Sequence, residues 1–90
     1  MKVTIYVNWN EQKIMTEEEY NKEINRRAEE FCKDNDNFAE WLEANYTAVE
    51  MFEMEGRQKK EVREAFLEYA RDEEENGGFG WYCEEFTFEI

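Results

Sequence analysis

Histidine and proline are both absent from these 90 residues, cysteine occurs twice and glycine four times. Without histidine, Ser-His-Asp and Cys-His devices are excluded, and so is any histidine-ligated metal site. Cys32 and Cys83 stand far apart, with no CxxC between them, so nothing supports a zinc site. Each neighbours an apolar ring, Phe31 or Tyr82, and the expectation is two reduced, buried thiols. The lack of proline fits a chain made mostly of regular elements. No apolar run approaches the roughly 18 residues of a membrane span. The opening MKVTIYVNWN lacks the basic-then-apolar layout of a secretory signal. The expectation is a cytoplasmic protein of a bacterial host cell, with no cofactor and no membrane association.

Positive charge is scarce. Eleven basic side chains face 24 acidic ones, for a net charge of -13. That exceeds the magnitude of roughly 2–8 that solubility asks of a small domain. A field of this sign repels nucleic acid and anionic lipid and attracts basic protein surfaces. The 15 aromatic residues are enough for one core, and the length fits one domain over residues 1–90.

Residues 1–9 alternate, with Val3, Ile5, Val7 and Trp9 on one side, as in a half-buried strand. Asn10-Glu11 can turn the chain into a short returning strand over 12–15. Thr16 and Glu19 form a capping box ahead of a helix at 17–33, whose stripe is Tyr20, Ile24, Ala28, Phe31 and Cys32. Asn37 and Glu40 have the spacing to open a second helix, with Phe38, Trp41 and Leu42 inward. Thr47 and Glu50 open a third, with Val49 and Phe52 inward and Gly56 at its end. A fourth helix spans about 57–75 on the stripe Val62, Ala65, Phe66, Tyr69 and Ala70. Its basic start and acidic end oppose the macrodipole. Asn76-Gly77-Gly78 stops it, and an alternating tail from Trp81 puts Tyr82, Phe86, Phe88 and Ile90 on one side of a last strand. Terminal strands around helices predict an α+β domain: a small antiparallel sheet with about four helices packed on one face. Trp41 and Phe66, central in their stripes, are the expected core rings.

Familiar chemistry is hard to place. Asp34-Asn35-Asp36 begins like a calcium loop, but its fifth, sixth and twelfth positions hold Phe38, Ala39 and Asn45. The Gly77–Gly80 stretch lacks the lysine of a phosphate loop. Nothing singles out two carboxylates as an acid–base or metal-binding pair, so no catalytic residue is expected and the chain reads as non-enzymatic.

The acidity is concentrated. Residues 34–56 hold seven acids and no lysine or arginine, and residues 72–90 hold seven more, again without a base. Carboxylates three or four apart on a helix lie about 5–6 Å from each other, near the spacing of phosphates on a nucleic-acid strand. Glu40, Glu43, Glu50, Glu53 and Glu55 in the first block are candidate partner-binding residues. Asp72, Glu73, Glu74, Glu75, Glu85 and Glu89 are the candidates in the second. Short, acidic, proline-free α+β chains with stretches such as TEEEY and FAEWLEANYTAVEMFEM resemble, in size and charge alone, small phage and mobile-element inhibitors of the anti-CRISPR or anti-restriction type. That resemblance implies a DNA mimic seated in the groove of a basic nucleic-acid-binding protein, a nuclease, with no direct contact to nucleic acid. The competing expectation is an accessory protein-interaction module, including a homodimer through exposed aromatics or an edge strand, whose acidity serves solubility. A small metal-dependent hydrolase is a third alternative. Mimicry predicts acidic blocks converging on one face. The module predicts scattered acids and a separate apolar patch.

Overall fold

The structure, a computed structural model, describes residues 1–53 and 60–90 in full and the backbone alone over 56–59. Three strands and four helices follow in the order β1 (Lys2–Asn8), β2 (Lys13–Thr16), α1 (Glu17–Cys32), α2 (Asn35–Asn45), α3 (Ala48–Glu53), α4 (Gly56–Glu75) and β3 (Glu84–Glu89). The fold is α+β. Both neighbours of β1 run antiparallel to it, in the order β2-β1-β3, so the N-terminal strand is the centre of the sheet and β3 closes against it.

Thr16 is the hinge of the architecture. It ends β2 and caps α1, accepting from the Glu19 amide at 3.2 Å while the Glu19 carboxylate accepts from the Thr16 amide at 3.3 Å. Met15, just before the cap, and Tyr20, four residues after it, are packed in one cluster, the arrangement of a hydrophobic staple. The staple pins Met15 under α1. Register then decides the rest: Met15 pairs with Tyr6, and Tyr6 pairs with Glu85, so these residues lie on the helix-covered face. The core there is Met15, Tyr20, Ile24, Trp81 and Cys83, with the Tyr6 ring stacked on Tyr20 at 3.8 Å. Arg27 covers Trp81 at 4.3 Å.

Helices α1 and α4 lie against each other along Ile24, Ala28, Val62, Phe66 and Ala70, all buried. A second aromatic group gathers where α2 meets this pair: Phe31, Phe38, Trp41 and Tyr69 around the fully buried Phe66, with Arg63 over Phe38 at 3.7 Å. Helix α4 ends in a Schellman motif, with the Gly78 amide donating to the Glu73 carbonyl and Gly77 to Glu74. Gly77 adopts φ +77°, and a Cβ there would crowd the Tyr82 side chain at 3.2 Å.

Four expectations need correction. Asp34, not Asn37, caps α2, accepting from the Asp36 amide at 2.8 Å, while Asn37 donates instead to the Phe31 carbonyl. Trp41, Phe38 and Leu42 are only half-buried, as is Cys32, because α2 has one neighbouring layer to lie on. The Thr47–Glu50 capping box forms as expected, but Val49 and Phe52 point into solvent, 66% and 92% exposed. A helix of six residues, none of them buried among the described residues, offers them little to pack against. Gly56 opens α4 rather than ending α3. The molecule is long, with a radius of gyration of 16.6 Å against about 12 Å for a compact chain of this length.

Candidate interaction surface

Since Tyr6 and Met15 face the helices, the alternate residues of every strand face away from them. On β1 these are Val3, Ile5 and Val7, with Trp9 just beyond the strand. Ile14 pairs with Val7 from β2. Phe86 and Phe88 pair with Ile5 and Val3 from β3. The apolar side of β1 and the apolar side of β3 are therefore one surface, and among the described residues no helix covers it. Trp9, Ile14 and Phe88 are 62%, 68% and 53% exposed. Val7, between Ile14 and Glu84 in the register, is buried. Met1 and Ile90, joined by backbone hydrogen bonds at the end of the β1–β3 ladder, extend the exposed apolar border.

The face carries almost no charge, in a chain where 39% of residues are charged. Glu84 is the acid on it, paired with Val7. Its carboxylate accepts the Trp9 indole N–H at 2.9 Å, and the indole meets Phe86 edge-on with ring centres 6.5 Å apart. The indole is thereby held over the sheet. A contiguous apolar surface left open on so acidic a chain is unusual for a solvated sheet face.

The acidic candidates are distributed around the rest of the molecule. Glu40 and Glu43 are exposed on α2, and Glu50 and Glu53 on α3, where Glu50 is engaged with its own cap. Glu55 lies outside the described residues. Asp72 is exposed and Glu73 is half-buried beside Gly78. Glu89 pairs in register with Lys2 at the edge of the sheet. Glu74 is buried and cannot meet a partner. Its place follows from spacing: it continues the stripe Val62, Phe66, Ala70 by one more turn and meets α1 beside Glu23, Arg26 and Arg27. Burial raises its carboxyl above the usual range, and the two arginines only partly offset this. Glu23 is held low, chiefly by its hydrogen bonds to Arg26.

Two of the acids do meet. Glu75 and Glu85 border a cleft of about 330 Å³ with Tyr6, Tyr20 and Tyr82. Tyr6 donates to Glu85 at 3.4 Å. Burial, with Glu75 nearby, pushes the Tyr20 hydroxyl up to about 12. A larger cleft, about 580 Å³, lies between Trp41, Phe31 and Tyr69, with Glu40 at its rim. Among the described residues, no three Cys, Asp or Glu side chains are grouped to hold a metal ion, and no helix is long and apolar enough to cross a membrane.

The open face was not among the residues expected to bind. Its signal was present in the sequence: a staple between Met15 and Tyr20 fixes which phase of the alternation goes inside, and that phase is Tyr6 and Met15 rather than Val3, Ile5 and Val7. Compared with known proteins, the chain matches no family model, no curated protein and no solved structure.

Proposed function

We propose that this chain is a non-enzymatic protein-interaction module that docks through the open face of its sheet. One observation carries the reading: Val3, Ile5, Trp9, Ile14, Phe86 and Phe88 form a continuous, nearly uncharged surface that the described residues of the helices leave uncovered. The separation of this surface from the carboxylates favours apolar docking, with the acids keeping the rest of the molecule solvated and repelling nucleic acid.

A second reading rests on the α2–α3 segment. There Asp34, Asp36, Glu40, Glu43, Glu50 and Glu53 are all exposed, with no lysine or arginine between residues 34 and 56. Such an arm suits a basic groove, and the inhibitor of a nuclease, acting as a DNA mimic of the anti-CRISPR or anti-restriction kind, belongs to this reading.

Capture from a lysate of the native host separates the two. Three baits are compared under a salt gradient: the wild-type chain, the double variant Ile14→Lys and Phe88→Lys, and the quadruple variant with Lys replacing Glu40, Glu43, Glu50 and Glu53. Docking through the face predicts partners that resist salt, survive the quadruple reversal and are lost with the double variant. Loss with the quadruple variant alone, together with elution by moderate salt and competition by duplex DNA, would transfer the function to the arm.

A further inference from the structure

The occupant of the open face can be argued from its area, its charge and the shape of the sheet. We infer that it is a second copy of this chain, packed sheet on sheet about a two-fold axis, an inference that rests on the reading of the face as a docking surface.

Area comes first. With Val3, Trp9, Ile14 and Phe88 exposed by 36%, 62%, 68% and 53%, the face offers on the order of 500 Å² of surface per copy. A standard stable interface takes about 800 Å² from each partner, and the largest apolar patch left open on an ordinary monomer is about 300–600 Å². One copy is thus at the upper end of what a monomer leaves wet, and two copies together bury about 1,000 Å², the least that a specific interface takes. Chemistry comes second. A partner chosen by this protein's charge would be drawn to the acidic helices, whereas the face itself presents little charge for a basic partner to read. A surface of Val, Ile, Phe and Trp is complementary to itself, as an isologous two-fold interface requires. Packing two such faces about 10 Å apart is the ordinary construction of a β-sandwich. Charge placement comes third. Glu84 sits at one end of the face, paired with Val7, and Phe88 at the other, paired with Val3. A two-fold axis running across the strands lays the Glu84 end of one copy over the Phe88 end of the other, which keeps the two carboxylates apart. Glu85 and Glu89 point to the helix side and stay outside the contact.

Edge-to-edge pairing is the competing route to a dimer. It would add a strand to β3 or to β2, the two edges of the sheet; Glu84, Glu85 and Glu89 place like charges along the first, and the second is only four residues long, both common guards against such pairing.

Two chains of charge -13 repel each other. Screening acts over about 8 Å at physiological ionic strength, and it relieves this repulsion while leaving apolar contact intact. Added salt therefore strengthens the dimer, opposite to its effect on a carboxylate-to-groove contact.

Sedimentation equilibrium of the purified chain tests this across concentration and salt, on the wild type and on the Ile14→Lys, Phe88→Lys variant, with circular dichroism confirming that both fold. The expected result is a reversible dimer whose dissociation constant falls as salt rises, and a weakening of about tenfold or more in the variant, the equivalent of 1.4 kcal/mol or more. A wild type that stays monomeric at every salt and concentration overturns the inference. So does a dimer that the variant leaves unchanged. If the wild type is monomeric and its lysate partner is still lost with the double variant, the docking face stands and the second copy is excluded. If neither measurement responds to the double variant, both readings fail.

Discussion

Trp9 donates its indole N–H to Glu84 at 2.9 Å across the outer face of the sheet, from the β1–β2 turn to the first residue of β3. This bond spans two strands on a side that no helix covers, and it fixes the largest ring of the surface. Because Trp9 is 62% exposed, truncating it removes little packing. Trp9→Ala is expected to cost about 1 kcal/mol or less in urea unfolding, mostly the exposed hydrogen bond and the partial cover of Val7. The same change removes the largest ring of the docking surface, so self-association or partner binding falls by much more than stability does. Equal losses in both measurements would show that Trp9 is a core residue.

Phe66 and Phe52 give the opposite contrast. Phe66 is 1% exposed and touches the rings of Phe31, Phe38, Trp41 and Tyr69. Phe66→Ala is expected to cost about 3–5 kcal/mol. Phe52 on α3 is 92% exposed, and Phe52→Ser should stay within about 0.5 kcal/mol of wild type. Thermal melts of the two variants check this, and a large loss from Phe52→Ser would mean that α3 packs on the body.

Thr16 closes both hydrogen bonds of its capping box. Replacing it with Ala leaves the Glu19 amide without its acceptor and is expected to cost about 1 kcal/mol. Thr16→Ser, which keeps the hydroxyl, should recover most of that loss in the same denaturation series.

Glu74 is the acid that burial works against. Its folded pKa is raised above the unfolded value, so the native state holds the proton more tightly than the unfolded chain does. By linkage, this group detracts from stability at neutral pH, and the loss is relieved as pH falls through the raised folded value toward the ordinary carboxylate range. Glu74→Gln is therefore expected to raise the melting temperature at pH 7, with a gain that shrinks under acid. Glu23, held low by Arg26, has the reverse sign: its contribution is present above the usual carboxylate range and fades as pH falls. A Glu74→Gln chain that melts lower than wild type at pH 7 would show that attraction to Arg26 and Arg27 outweighs desolvation.

The elements were legible in the sequence because each carries a local signal. Thr16-Glu19 and Thr47-Glu50 cap helices, Gly77 takes the left-handed position, and the stripes of α1 and α4 recur at helical spacing. The four-helix, terminal-strand α+β arrangement follows from them. What local pattern could not decide was which side of an amphipathic strand faces inward. Alternation in β1 marks Val3, Ile5 and Val7 as one group, and apolarity alone would bury them. The non-local pairing of Tyr6 with Met15, set by the staple to Tyr20, turns that group outward. The acidic candidates were read as one-dimensional blocks. In three dimensions Glu74 falls on a buried stripe, Glu75 and Glu85 share a cleft, and the acids of α2 and α3 are exposed away from that cleft.

Methyl relaxation by a neutral soluble paramagnet reads which face of the sheet is open. On the monomeric chain, the methyl groups of Val3 and Ile14 should relax strongly, while those of Met15, Ile24 and Val62 stay protected. Protection of Val3 and Ile14, with Met15 reached by the probe, would mean that the helices cover the other side of the sheet and would remove the docking surface altogether.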